Sequence, residues 1–202
     1  VVAEQVDLPP GYSVAWSGQY EYMVRAKKRL ALVVPITLVI IILLLYLNFR
    51  KLSEVLIIMG TLPLASVGGF WLLYLLGYNL SVAVGVGFIA LSGVAVEIGV
   101  IMLVYLNQAL QRRQDAADRA NRQLTGDDVR SAVIDGALLR VRPIMMTVTA
   151  IIVGLLPIML GGGTGSEVMR RIAAPMVGGM ISATLLTLVV IPAIFLLWKQ
   201  HA

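Results

Sequence analysis

LSVAVGVGFIALSGVAVEIGVIMLVYL, residues Leu80–Leu106, is as long as any apolar run in the chain, and a carboxylate stands inside it. A helix needs about 20 residues to cross the hydrocarbon core of a bilayer, within a range of roughly 17–25. This run is long enough, and four others share the chain with it: Leu30–Asn48, Val55–Leu76, Pro143–Leu160 and Ile172–Trp198. Each is expected to be helical, because lipid offers no partner to open backbone N–H and C=O groups. Composition agrees. The 202 residues are 59% hydrophobic and only 13% charged, against about 25% charged in an average soluble domain. Mean hydropathy is +0.90. One soluble core could not hide this much apolar surface. The expected fold is an all-α membrane protein, a five-helix transmembrane bundle. Its helices are expected at about 29–49, 55–77, 80–106, 143–160 and 172–198, with 107–142 as a cytoplasmic loop.

The polar residues set topology and exclude several functions. The formal net charge is +5, but the basic residues cluster between apolar runs, which is the pattern of membrane topology and not of a nucleic-acid face. No nucleic-acid partner is expected. With no cysteine there is no disulfide or thiolate site, and a single His, His201, argues against a zinc centre or a His-based triad. No enzyme activity is expected. One side of the membrane would hold Arg50, Lys51, Lys199 and seven arginines of the 107–142 stretch, ten basic residues. The other would hold Arg25, Lys27, Lys28, Arg29, Arg170 and Arg171, six. The excess places the long connection and the C-terminus in the cytoplasm. Residues 1–28 read as a polar segment outside, with a turn at Pro9-Pro10-Gly11. An outside N-terminus with no signal peptide and no initiator Met leads us to expect a segment of a longer chain.

Glu97 is the acid that lies deep within a run, with seventeen residues of that run before it and nine after. An ionised carboxylate at such depth costs several kcal/mol. It either takes up a proton or pairs with a cation, and a group poised between those states suits a proton relay. The alternative is a structural carboxyl that bonds across to a neighbouring helix. Gly85, Gly87, Ala90, Ser92, Gly93, Ala95 and Gly99 line the same helix. Small residues let helices approach closely, so Glu97 is expected to point into the bundle. Nine methionines form a second feature. Thioethers suit soft Cu(I) and Ag(I), although most methionines in apolar helices are packing. Met169 stands apart beside the Gly-rich stretch Gly161–Gly165, and Ser166 is the expected N-cap of the helix that follows.

Five stretches resemble the C-terminal part of resistance-nodulation-division (RND) efflux pumps, on the copper/silver (Cus-type) heavy-metal branch. They are Leu8–Tyr12, Asn79–Leu91, Leu139–Pro143, Gly154–Ile158 and Gly165–Met169. The resemblance implies that the five runs are the last five of twelve membrane helices, and that residues 1–28 end a periplasmic porter segment. It implies proton-driven export of heavy-metal cations, Cu(I) or Ag(I), from the bacterial inner membrane. Glu97 falls on the family's relay glutamate and Met169 on a methionine of the metal path. One position departs: copper/silver pumps carry a Lys after the Arg-Pro pair, where this chain has Ile144. The zinc/cobalt/cadmium branch has an apolar residue there but usually lacks the glutamate. The implied partners are membrane lipid, the N-terminal half of the pump, two further copies in a homotrimer, a periplasmic adaptor and an outer-membrane channel. No cofactor is implied. A non-transporting scaffold, and a pump for zinc, cobalt and cadmium or for drugs, remain as alternatives.

Overall fold

A computed structural model describes residues 18–201. The segment expected as porter, 1–28, therefore lies largely outside the described residues. The described residues form helices and no strand: α1 Gln19–Phe49, α2 Leu52–Leu75, α3 Val82–Arg119, α4 Gly126–Leu160, α5 Ser166–Leu185 and α6 Ile191–His201, with a π-helical turn at Leu186–Val190 between the last two. Among the described residues five spans are long and apolar enough to cross a membrane, α5 and α6 counting as one. The chain divides into two compact units, Val1–Ile40 and Ile41–Ala202, so the boundary falls inside α1.

In the second unit α2 packs on α5, and α3 packs on α2, α4 and α5. Small residues make this possible. A Cβ added to Gly68 would fall on the Gly178 carbonyl oxygen, and one added to Gly178 would fall on that of Gly68. Only hydrogen fits where these two backbones cross. Ser182 ties the same crossing by donating its hydroxyl to the Ala65 carbonyl at 2.6 Å. Leu91, Ile98, Met102, Leu103, Leu106, Ile58, Met180 and Phe195 fill the core. Tyr74, Leu75 and Leu160 are among the most exposed apolar side chains, as expected of residues facing lipid.

Three expectations need correction. The 107–142 stretch is not a loop: α3 runs on to Arg119 and α4 begins at Gly126. Gln108–Arg119 contains no Gly or Pro and is rich in Ala, Gln and Arg, all good helix formers. At about 1.5 Å per residue these helices are each more than about 50 Å long, so their facing ends project beyond a hydrocarbon core of about 30 Å. The projections pack on each other through Ala117, Val129, Ala132 and Val133, all buried. The Arg113–Asp135 ion pair at 2.7 Å joins them. Second, Ser166 is not the N-cap. Gly165, with φ +89°, takes that place, and Ser166 opens α5 while donating its hydroxyl to the Gly163 carbonyl. Glycine tolerates that left-handed turn. Third, Glu97 does not point into the packed core of these five helices: it is exposed on α3 and lines a cavity toward α4, as described next.

Candidate functional site: the Glu97 cavity

On α3 the inward face carries Leu91, Ala95, Ile98, Gly99 and Met102, all buried. Two residues of helix turn the chain by about 200°, so Glu97 stands nearly opposite Ala95. It shares an exposed stripe with Val82, Val86, Ile89 and Gly93 at steps of three and four residues. Beside Gly93 there is open space. The small residues of α3 thus split between two faces, which their spacing alone could not separate.

Glu97 lines a cavity of about 90 Å³ between α3 and α4, together with Arg140, Pro143, Ile144, Thr147 and Ile151. Arg140, Ile144, Thr147 and Ile151 recur at steps of four, three and four, which places them on one face of α4. Ile144 is 3% exposed and closes the wall with hydrocarbon. Thus the position where the resemblance expects a Lys shares a cavity with Glu97, and it supplies no charge. Arg140, one turn earlier, supplies one. Its guanidinium carbon sits 4.6 Å from the centroid of the Tyr105 ring, a cation–π contact, and its buried Nε has no hydrogen-bond partner among the described residues. No ion pair within 4.0 Å joins it to Glu97 among the described residues. A cavity this size admits water between the carboxylate and the guanidinium. Sequence reasoning passed over Arg140 and Thr147 as site residues. Their spacing from Ile144 was the available signal.

Met169 lies in the first turn of α5 and is 51% exposed. Arg170 beside it donates to the Gly161 carbonyl, pinning the Gly-rich connection to α5. Met102 and Met180 are fully buried core residues. No cluster of three or more His, Cys, Asp or Glu able to hold a metal occurs among the described residues. Glu54 starts α2, yet it is only 2% exposed and accepts a hydrogen bond from Asn107 at 2.9 Å.

The AcrB/AcrD/AcrF family profile matches residues 1–199. The chain is 54% identical to the cation efflux system protein CusA of Escherichia coli (strain K12), over 99% of this chain and 19% of that protein. It is 53% identical to the putative cation efflux system protein SilA of Salmonella typhimurium, with the same coverage. The cobalt-zinc-cadmium resistance protein CzcA of Cupriavidus metallidurans is 36% identical, over 96% of this chain and 17% of that one. A crystal structure of a heavy metal efflux pump superposes with a TM-score of 0.76 at 38% identity, covering 98% of this chain and 18% of that one. The chain spans about a fifth of the length of these relatives. Sequence, helix order and superposition agree that the chain belongs to the AcrB/AcrD/AcrF family, among the RND heavy-metal efflux pumps.

Proposed function

We propose that this chain is the second membrane half of a proton-driven inner-membrane pump that exports Cu(I) or Ag(I), with Glu97 in its proton relay. The observation that carries the reading is Glu97 itself: a carboxylate in mid-helix, on the open stripe of α3, at a cavity shared with Arg140. A charge left facing lipid at that depth costs at least about 3 kcal/mol on insertion scales. A stripe bearing Glu97 is therefore built to be covered by other helices, which the N-terminal half of the pump supplies. Protonation of Glu97 lets the stripe repack against them, and deprotonation restores attraction toward Arg140. Alternating access by helix shifts of this kind moves the cargo. The exposed Met169 thioether offers the metal a soft contact. The greater identity to CusA and SilA than to CzcA supports copper or silver as cargo. A homotrimer with a periplasmic adaptor and an outer-membrane channel completes the assembly.

A second reading, a pump for zinc, cobalt or cadmium, draws on the apolar Ile144. Both are tested in cells that depend on the complete transporter for metal resistance. Glu97→Gln should abolish copper and silver resistance at unchanged expression, and Met169→Leu should weaken it about tenfold. Full resistance in Glu97→Gln would reduce the chain to a packing scaffold. Copper and silver resistance untouched by Met169→Leu would remove Met169 from the cargo path. Export of zinc alone would select the second reading.

A further inference from the structure

A buried carboxylate is left unused by the Glu97 relay. Glu54, in the first turn of α2, is 2% exposed. Its two oxygens differ. Oε2 accepts the Asn107 amide at 2.9 Å. Among the described residues Oε1 has only the Lys51 ammonium at 4.0 Å, beyond hydrogen-bond reach and on a side chain that is 56% exposed. Lys199 of α6 lies within electrostatic reach of both Glu54 and Lys51. Glu54 lines a cavity of about 590 Å³ whose walls are mostly polar, among them Asn48, Asn107, Gln111, Asp115 and Asp118. The charged groups facing Glu54 are thus Lys51 from the α1–α2 turn, Lys199 from α6, and Asp115 and Asp118 from α3.

The position of this cavity connects it to Glu97. The Glu97 cavity ends on α3 at Ile101, and the Glu54 cavity begins at Val104. Three residues of helix are a rise of about 4.5 Å and a turn of about 300°, so the two openings adjoin on neighbouring flanks. Ile101 and Val104 are the wall residues of the two cavities that stand nearest each other on α3, and Glu97 and Asn107 are ten residues, about 15 Å of helix rise, apart. A polar-walled, mixed-charge cavity around a half-satisfied buried carboxylate is a place where a proton can stop and be released to water.

We propose that Glu54 is the proton acceptor between Glu97 and the aqueous phase on the Arg-rich side of the membrane, with Ile101 and Val104 as the apolar gap a proton must cross. The proposal rests on the relay reading of Glu97. In the step, the O–H bond of protonated Glu97 breaks and the proton passes through water to Oε1 of Glu54. Glu54 then gives it to cavity water and returns to a carboxylate, with Asn107 holding Oε2 throughout.

The test uses the complete transporter containing this chain, in vesicles with a pH dye on the Arg-rich side. Glu54→Gln keeps the shape and an acceptor for Asn107 but cannot carry a proton. It should slow metal-coupled proton release about a hundredfold, the low end for a positioned proton carrier, and Glu54→Asp should restore part of the rate. Wild-type rates in Glu54→Gln, with Glu97→Gln inactive, would overturn this proposal and leave the pump reading intact. Wild-type rates in Glu97→Gln would overturn both. If Glu54→Gln does not reach the membrane, labelling decides, since this chain has no cysteine of its own. Gln111→Cys should react rapidly with a charged thiol reagent added on the Arg-rich side. Reaction as slow as at the buried Met102→Cys would overturn the hydrated path.

Discussion

Single residues carry the electrostatics of this chain, and their surroundings decide what each can do. Glu97 and Arg140 share a cavity, and among the described residues no ion pair joins them. Asp128 shows the opposite, a carboxylate locked in place. It accepts from the Arg122 guanidinium at 2.6 and 3.0 Å, from the Thr125 hydroxyl at 2.7 Å and from the Thr125 backbone N–H at 3.0 Å. Thr125 in turn accepts from the Asp128 N–H, closing a capping box on the projecting end of α4. These donors, Arg122 first, hold the Asp128 carboxyl far below its ordinary value of 3.8. A depressed carboxylate stabilises the fold above its unfolded value and loses that contribution as pH falls through the folded one. Amide protection at residues 126–130 should therefore hold down to about pH 4 and fall only in stronger acid. Thr125→Ala should weaken the cap by about 1 kcal/mol at neutral pH, read as faster amide exchange over the same residues. Unchanged exchange in that variant would mean that the cap does not hold the helix end. Glu97 itself was legible in the sequence because charge in mid-run is rare. Arg140 was not, since its partner cavity is made by a second helix.

At the scale of elements, two devices set the helix geometry. The α2–α5 crossing relies on Gly68 and Gly178 meeting backbone to backbone. Gly68→Ala should push these helices apart and destabilise the bundle by about 1–3 kcal/mol, the range for overpacking. The contrast is Gly60→Ala, on the same helix, where the added Cβ meets nothing within 4 Å. Thermal unfolding in detergent should separate the two variants, and equal midpoints would count against the crossing as the tight point. The second device is the π-helical turn Leu186–Val190, where the Ile191 N–H bonds back to the Leu186 carbonyl. Pro192 follows and has no N–H to give, so the regular ladder is already broken there. The apolar run that ends at Trp198 gave no sign of this turn. A π turn depends on which carbonyl each amide finds, and hydropathy does not record that.

For the whole molecule, the open stripe of α3 is the decisive feature. Val82, Val86, Ile89, Gly93 and Glu97 form one exposed line. A Cβ added at Gly93 meets no atom within 4 Å among the described residues. Gly93→Trp should leave the helical content of the chain unchanged and block assembly of the active transporter, seen as lost metal resistance at normal expression. Retained resistance would show that no helix covers the stripe. Sequence by itself determined the membrane class, the five spans, the family and the presence of a carboxylate in mid-membrane. The class, the spans and the carboxylate depend on composition and run length, which are local properties, and the family on the resemblance of five short stretches. Tertiary structure alone decided which way Glu97 points, that Arg140 and Ile144 share its cavity, and that Glu54 is buried against Asn107, 53 residues away. It also decided that 107–142 is helix packed on helix instead of loop. Each of these depends on where one helix lies against another, and on the four-residue phase that turns a side chain toward its neighbour or away from it.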